Sequence, residues 1–170
     1  MRIIGGKFKG LKLASSNIKA SNQVDFLIRP TSDRTKETLF NIIQNSFKLR
    51  VEESSFLDCF SGSGSIGIEA FSRGSKCVYF IDKEKSSCHL LKRNLLLLSK
   101  KIEMGETDFN VYNKDFFDQK FVLGKKFDFI FLDPPYRKFS IGDLSQRLKQ
   151  LNILKANSLI IFESSVRELG

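Results

Sequence analysis

Apolar positions along the chain change their spacing in an ordered way. Residues 2–13, "RIIGGKFKGLKL", alternate around Gly5, Gly6 and Gly10 and predict a small exposed hairpin whose side chains are mostly basic. The polar run "SSNIKASNQ" (15–23) reads as a loop that separates this arm, residues 1–24, from the body of the chain, residues 25–170. After "RPTSDRT", in which Pro30 holds Arg29 extended and Thr31 to Asp33 supply caps, Leu39, Ile42, Ile43 and Phe47 recur at helical spacing.

Short apolar runs then alternate with helical patterns. Strands are predicted at "SFLDCF" (55–60), "CVYFID" (77–82), "FNVYN" (109–113), "FDFIFL" (127–132) and "SLIIFE" (158–163). Helices are predicted from about Ser65 to Arg73, stopped by Gly74, then around 85–99 and over 141–150. This alternation specifies right-handed βαβ units, and therefore an α/β fold with a doubly wound, mostly parallel sheet and helices on both faces. Ligands of such a sheet sit beyond the carboxyl ends of the strands, where strand order reverses. Asp58, Asp82, Asp115 and Asp133 all fall at consecutive strand ends, which predicts one shared site.

Composition and charge sharpen the picture. A chain of 170 residues with 41% hydrophobic content suits one globular domain with a sizeable core. Residues 1–36 carry +6 of the chain's formal +9, from Arg2, Lys7, Lys9, Lys12, Lys19, Arg29, Arg34 and Lys36 against Asp25 and Asp33. A surplus gathered at one end reads as a docking surface for a polyanion. Cys59, Cys77 and Cys88 lack CxxC spacing and share the chain with a single histidine, His89, which argues against a zinc site or a disulfide framework. No apolar run approaches the ~20 residues that span a bilayer, so a cytoplasmic, soluble protein is expected; a monomer with no bound metal is expected as well.

The loop "GSGSIG" (62–67) matches the dinucleotide pattern GxGxxG, with Asp82 at the distance of a ribose-binding acid. Its glycines allow a tight turn and close backbone approach, and the helix that follows offers free N–H groups to any nucleoside-containing cofactor. Asp58, four residues before the first glycine, would repel a pyrophosphate and would suit a cationic amino-acid moiety. An NAD-dependent oxidoreductase is the competing reading, and it leaves "DPPY" (133–136) unexplained. In that tetrapeptide the Asp133 carboxylate and the Pro134 carbonyl can accept both N–H groups of an exocyclic amine, Pro135 fixes their directions, and Tyr136 can stack on the base.

Taken together, "DCFSGSGSIGIEAFSRG", "DPPY", "RPTSDRTKETLFNII" and "RIIGGKFKG" resemble the RsmD family over most of the chain. The resemblance implies a Rossmann-like class I methyltransferase that uses S-adenosyl-L-methionine to methylate a guanine N2 of 16S ribosomal RNA, free or in the small subunit. It assigns Asp58 and the loop Phe60, Ser61, Gly62, Ser63 and Gly64 to the methionine part and Asp82 to the ribose hydroxyls, with Lys83 also among the cofactor-binding residues. Asp115 and Phe116 would meet the adenine, while Thr38, Phe40 and Asn41 would close over the cofactor. Asp133, Pro134, Pro135 and Tyr136 would receive the guanine. Arg2, Lys7, Lys9, Lys12, Arg29, Arg34, Arg137 and Lys138 are the expected RNA contacts. Two related readings remain: an adenine-N6 amino-methyltransferase acting on DNA or RNA, and a non-catalytic rRNA-binding protein on the same scaffold. Family members continue past the strand containing "ESS" into an antiparallel hairpin that finishes the sheet. That hairpin is missing from these 170 residues, so the last strand is expected to keep an unpaired edge.

Overall fold

The computed structural model describes residues 1–15, 31–47, 49–101, 108–135 and 139–163. Five strands, β1 (Ser55–Cys59), β2 (Cys77–Asp82), β3 (Asp108–Asn113), β4 (Phe127–Leu132) and β5 (Leu154–Phe162), form one sheet in the order β3-β2-β1-β4-β5. Every pairing is parallel. The winding runs outward from β1 to β3, then restarts at β4 on the other side of β1, so the switch point lies between β1 and β4.

Helices cover both faces, as right-handed crossovers in opposite directions require. On one face α1 (Asp33–Asn41), α2 (Ser65–Ser72) and α3 (Lys85–Ser99) pack their Phe40, Ile66, Ile68, Leu91 and Leu98 against Phe56, Val78, Phe80, Phe129 and Phe131. On the other, α4 (Ile141–Leu151) places Leu144, Leu148 and Leu151 on Leu57, Cys59, Ile130 and Leu132. The fully buried β1 is apolar at Phe56, Leu57 and Cys59 and carries Ser55 at its start and Asp58 near its end.

Three local features depart from the sequence reading. The arm closes as a hairpin, with Ile3 N–H bonded to Leu11 O at 3.0 Å and Gly10 N–H to Ile3 O at 2.8 Å, but it is not exposed. Ile3, Phe8 and Leu13 enter the core while the lysines between them face outward. Gly6 sits at φ 71°, where a Cβ would overlap the carbonyl of Ser72, so only glycine lets the arm lie this close to α2. Ser72 Oγ donates to Gly5 O at 2.6 Å and accepts from Phe8 N–H at 3.0 Å, and buried Glu69 accepts from Ile4 N–H at 2.9 Å. Secondly, α1 runs on as a π-helical turn over Ile42–Ser46. Thirdly, β5 starts at Leu154, four residues before the predicted strand, and a register irregularity near Phe127 and Phe129 absorbs the extra length.

Candidate active site

The chain turns sharply as it leaves β1. Phe60, Gly62 and Gly64 all take positive φ, at 58°, 53° and 77°. The left-handed backbone at Phe60, a residue with a Cβ, stores strain of order 1 kcal/mol and aims its ring across the strand ends. Gly64 turns the loop into α2 at a φ that residues with a side chain rarely adopt, and a Cβ there would also meet the end of the Leu91 side chain.

Gly64 is the N-cap of α2 and has no side chain to cap with. Asp58 does that work from the neighbouring strand: its Oδ2 accepts the Gly67 N–H at 2.9 Å. Asp82 ties the same loop to the end of β2, accepting Gly62 N–H at 2.8 Å through Oδ2 and Glu84 N–H at 2.8 Å through Oδ1. Asn94 of α3 secures the loop from behind, donating to Ser63 O at 3.1 Å and to Ala14 O at 3.2 Å and accepting from Ala14 N–H at 2.8 Å. One side chain thus holds the glycine loop and the end of the arm together. Within the loop, Ser61 Oγ is buried without a hydrogen-bond partner among the described residues.

Although the whole chain is basic, this edge of the sheet is acidic. Burial pushes the Asp58 carboxyl well above the usual carboxylate range, and the charges of Asp133 and Asp82 push the same way against the Gly67 bond. Burial also raises Asp82, opposed by its bonds from Glu84 and Gly62. Asp133 is raised to about 7, first by burial and then by the carboxylate of Glu163. A cationic group placed among these acids would favour their ionised forms, whereas a pyrophosphate would be repelled.

Aromatic rings line the approach. Phe116, buried after β3, packs on Phe60 at 5.4 Å and on Phe117 at 5.3 Å, and Phe117 stacks on Phe139 at 4.1 Å. Phe60 completes the group by stacking on Phe139 at 6.2 Å. The segment carrying Phe116 and Phe117 is shaped by exposed Asp115, whose Oδ1 accepts the Phe117 N–H at 2.9 Å, and is held by Arg147 of α4. Arg147 is 3% exposed and donates to the carbonyls of Phe116 and Asp118, each at 2.6 Å, and of Phe121 at 3.1 Å.

The strand ends therefore bring together Asp58, Phe60 to Gly64, Asp82, Phe116 and Asp133, with Lys83 exposed beside Asp82. Pro134 is buried and Pro135 exposed. Phe40 does not join them: it is a core residue, stacked on Phe56 at the second position of β1, with the Arg73 guanidinium 4.6 Å above its ring. Thr38 and Asn41 are exposed on the same helix. Of the expected RNA contacts, Lys7, Lys9, Lys12 and Arg34 are exposed, while Arg2 is paired with Asp33 at 2.7 Å. Buried Lys36 binds Asp33 at 3.3 Å and the Arg2 carbonyl. Tyr136, Arg29, Arg137 and Lys138 lie outside the described residues. Sequence reasoning missed Phe117, Phe139, Arg147 and Asn94. The available signal was Phe139 directly before Ser140, whose hydroxyl and Asp143 form the capping box of α4.

Among the described residues no helix is long and apolar enough to cross a membrane, no cluster of ligands suits a metal, and the three cysteines are buried. A parallel sheet of this order, with a glycine loop and acids at its switch point, defines a Rossmann-like class I methyltransferase fold. Solved structures agree. A provisionally named methyltransferase from Escherichia coli superposes with a TM-score of 0.71 at 28% identity, over 94% of this chain and 78% of that one. A Thermus thermophilus hypothetical protein superposes at 0.68 and 26% identity, over 96% and 85%. The ribosomal RNA small subunit methyltransferase D of Haemophilus influenzae is 38% identical over 165 residues, 96% of this chain and 78% of its own. Its Escherichia coli K12 namesake is 31% identical, over 98% and 75%. Residues 1–169 match the family described as conserved hypothetical protein 95, and the chain belongs to this family, the RsmD methyltransferases.

Proposed function

We propose that the protein transfers a methyl group from S-adenosyl-L-methionine to the exocyclic N2 amine of a guanine in small-subunit ribosomal RNA. The observation that carries the reading is the position of Asp133. It follows β4 directly across the switch point from the glycine loop of β1, so an acceptor for an amine and a cradle for a nucleoside sit on neighbouring strands.

The cofactor fits the residues present. The acids favour a cation, the glycines leave space a Cβ would fill, and the buried hydroxyl of Ser61 stands ready for a partner in the loop. Asp58 and the loop Phe60 to Gly64 would hold the amino-acid end, Asp82 and Lys83 the ribose, and Phe116 and Asp115 the base. The bound cofactor supplies an electrophilic methyl on a sulfonium. Asp133 and the Pro134 carbonyl then accept the N–H groups of the guanine amine and hold its lone pair in line, with Tyr136 against the base face. Positioning the amine and taking up, on the Asp133 carboxylate, the proton it loses on gaining the methyl are the whole task of the chain, because methyl displacement, with a neutral thioether as leaving group, needs no covalent enzyme intermediate. Exposed Lys7, Lys9, Lys12 and Arg34, with Arg137 and Lys138, supply the phosphate contacts, and the names of the Haemophilus and Escherichia relatives support ribosomal RNA as the substrate.

A thermal-shift comparison tests the cofactor assignment. S-adenosyl-L-methionine raises the melting temperature in a concentration-dependent way and NAD does not. Stabilisation by NAD alone would return the glycine loop to the oxidoreductase reading.

A further inference from the structure

Glu163 opens the "ESS" stretch and follows β5 directly. Parallel register sets Leu132 opposite Phe162, and the Glu163 N–H donates to the Leu132 carbonyl at 2.9 Å. Asp133 and Glu163 therefore leave neighbouring strands side by side. Alternation continued past the strand ends gives a common face: Phe131 and Ile161 belong to one core cluster, Leu132 and Phe162 to the cluster of α4, and the next residue after each strand returns to the first side. Both side chains are half-buried, and among the described residues neither carboxylate is in an ion pair. The carboxylate of Glu163 is close enough to hold up the proton affinity of Asp133.

Two adjacent carboxylates form an acceptor surface wider than an amine needs. Guanine is the standard base with a matching donor row, since its ring N1–H stands next to the N2 amino group. Adenine N1 and cytosine N3, beside their own amino groups, present lone pairs that a carboxylate repels. Resting on the guanine reading above, we propose that Glu163 is a specificity-determining residue that accepts the guanine N1–H while Asp133 accepts an N2–H. The pair then rejects adenine and cytosine by leaving a lone pair against a half-buried carboxylate, an unpaired and repulsive contact in a hydrogen-bonding site. This explains how a DPPY amine site can be restricted to one base.

The test replaces the acceptor guanine with 2-aminopurine, which keeps the N2 amine and carries a lone pair at N1. Reconstituted small-subunit particles with either base at the methylated position are compared by kcat/KM for tritiated-methyl transfer. The parent enzyme is expected to prefer guanine by at least about tenfold, the scale of one matched set of base contacts. Glu163→Gln, whose carboxamide can turn an N–H toward the lone pair, and Glu163→Ala, which removes the charge, should both bring the ratio close to one. A ratio unchanged in both variants, even at lower absolute rates, overturns the proposal, because loss of fold or of Asp133 support slows both substrates alike. If Glu163→Ala fails to fold, the isosteric Glu163→Gln decides. A parent enzyme that methylates neither base overturns the guanine reading itself, and the proposal falls with it.

Discussion

The Asp58 carboxylate accepts the Gly67 N–H at 2.9 Å, so the acid inside β1 serves as the missing cap of the helix behind the glycine loop. An asparagine oxygen could accept the same N–H. Asp58→Asn should therefore fold with a melting temperature at least equal to the parent's above neutral pH, because burial holds the Asp58 proton affinity high and ionising it in the folded state is costly. Its affinity for S-adenosyl-L-methionine should fall by about 1–3 kcal/mol, the scale of a charge-assisted hydrogen bond. Calorimetric titration beside a melting curve separates the two effects, and unchanged affinity would confine Asp58 to capping.

Asp133 should govern the chemical step. Asp133→Ala is expected to keep the fold and to bind the cofactor within a few-fold of the parent, yet to lose roughly 2–4 kcal/mol of transition-state stabilisation, on the order of a hundredfold in rate. The acceptor is the ionised form, and its folded pKa lies at about 7. Single-turnover rates should rise with pH through a value at or below this one, because the bound sulfonium favours the ionised acid, level off above it, and lose the step in Asp133→Ala.

The same group links pH to stability with a definite sign. Its folded pKa of about 7 stands above the value of ~3.9 for an unfolded aspartate, so the folded state binds the extra proton. The contribution of Asp133 to stability is present in full below about pH 4 and declines as pH rises to about 7. Asp133→Asn should therefore stabilise the protein by about 2–4 kcal/mol at pH 8 and by almost nothing at pH 4. Urea denaturation at the two values measures the difference.

Arg147 spends its guanidinium on the carbonyls of Phe116, Asp118 and Phe121. Arg147→Met should cost about 2–4 kcal/mol in unfolding free energy by stranding those buried acceptors. It should also weaken cofactor affinity, because the rings of Phe116 and Phe117 lose their support. A variant that is destabilised but keeps parental affinity would show that the loop holds its shape without Arg147.

The arm calls for point substitutions because its apolar residues are core. Deleting residues 1–12 removes Ile3 and Phe8, worth about 1.5–3 kcal/mol each, and would confuse folding with binding. Replacing exposed Lys9 and Lys12 with alanine should keep the fold and lower the salt slope of log RNA affinity by roughly 0.7–0.9 for each phosphate that a lysine no longer neutralises. An unchanged slope would remove those two lysines from the interface.

Much of this architecture was legible in the sequence because its signals are local. Strands buried on both faces, such as Phe127–Leu132, announce themselves as apolar runs, and Gly62 and Gly64 mark a sharp turn because glycine takes positive φ without strain. What remained hidden depends on long-range packing of ambiguous residues. Alternating basic and apolar positions in the arm suit either an exposed ribbon or one with a single buried face, and only Ser72, Glu69 and Asn94, at sequence separations of 64 to 80, decide between them. Phe40 follows helical periodicity whether its ring meets a ligand or a core. Arg147 and Lys36 read as solvated charges because the carbonyls that bury them come from distant segments.

Methyl transfer to the N2 of one guanine in small-subunit ribosomal RNA can be measured without an intermediary. The protein and tritiated S-adenosyl-L-methionine are incubated with small-subunit particles that lack the modification, followed by nucleoside mass spectrometry and mapping. One methyl per particle should be incorporated, recovered as N2-methylguanosine at a single position and reduced on the order of a hundredfold by Asp133→Ala. Recovery of the label as N6-methyladenosine, or RNA binding with no methylated nucleoside at all, would contradict the proposed activity.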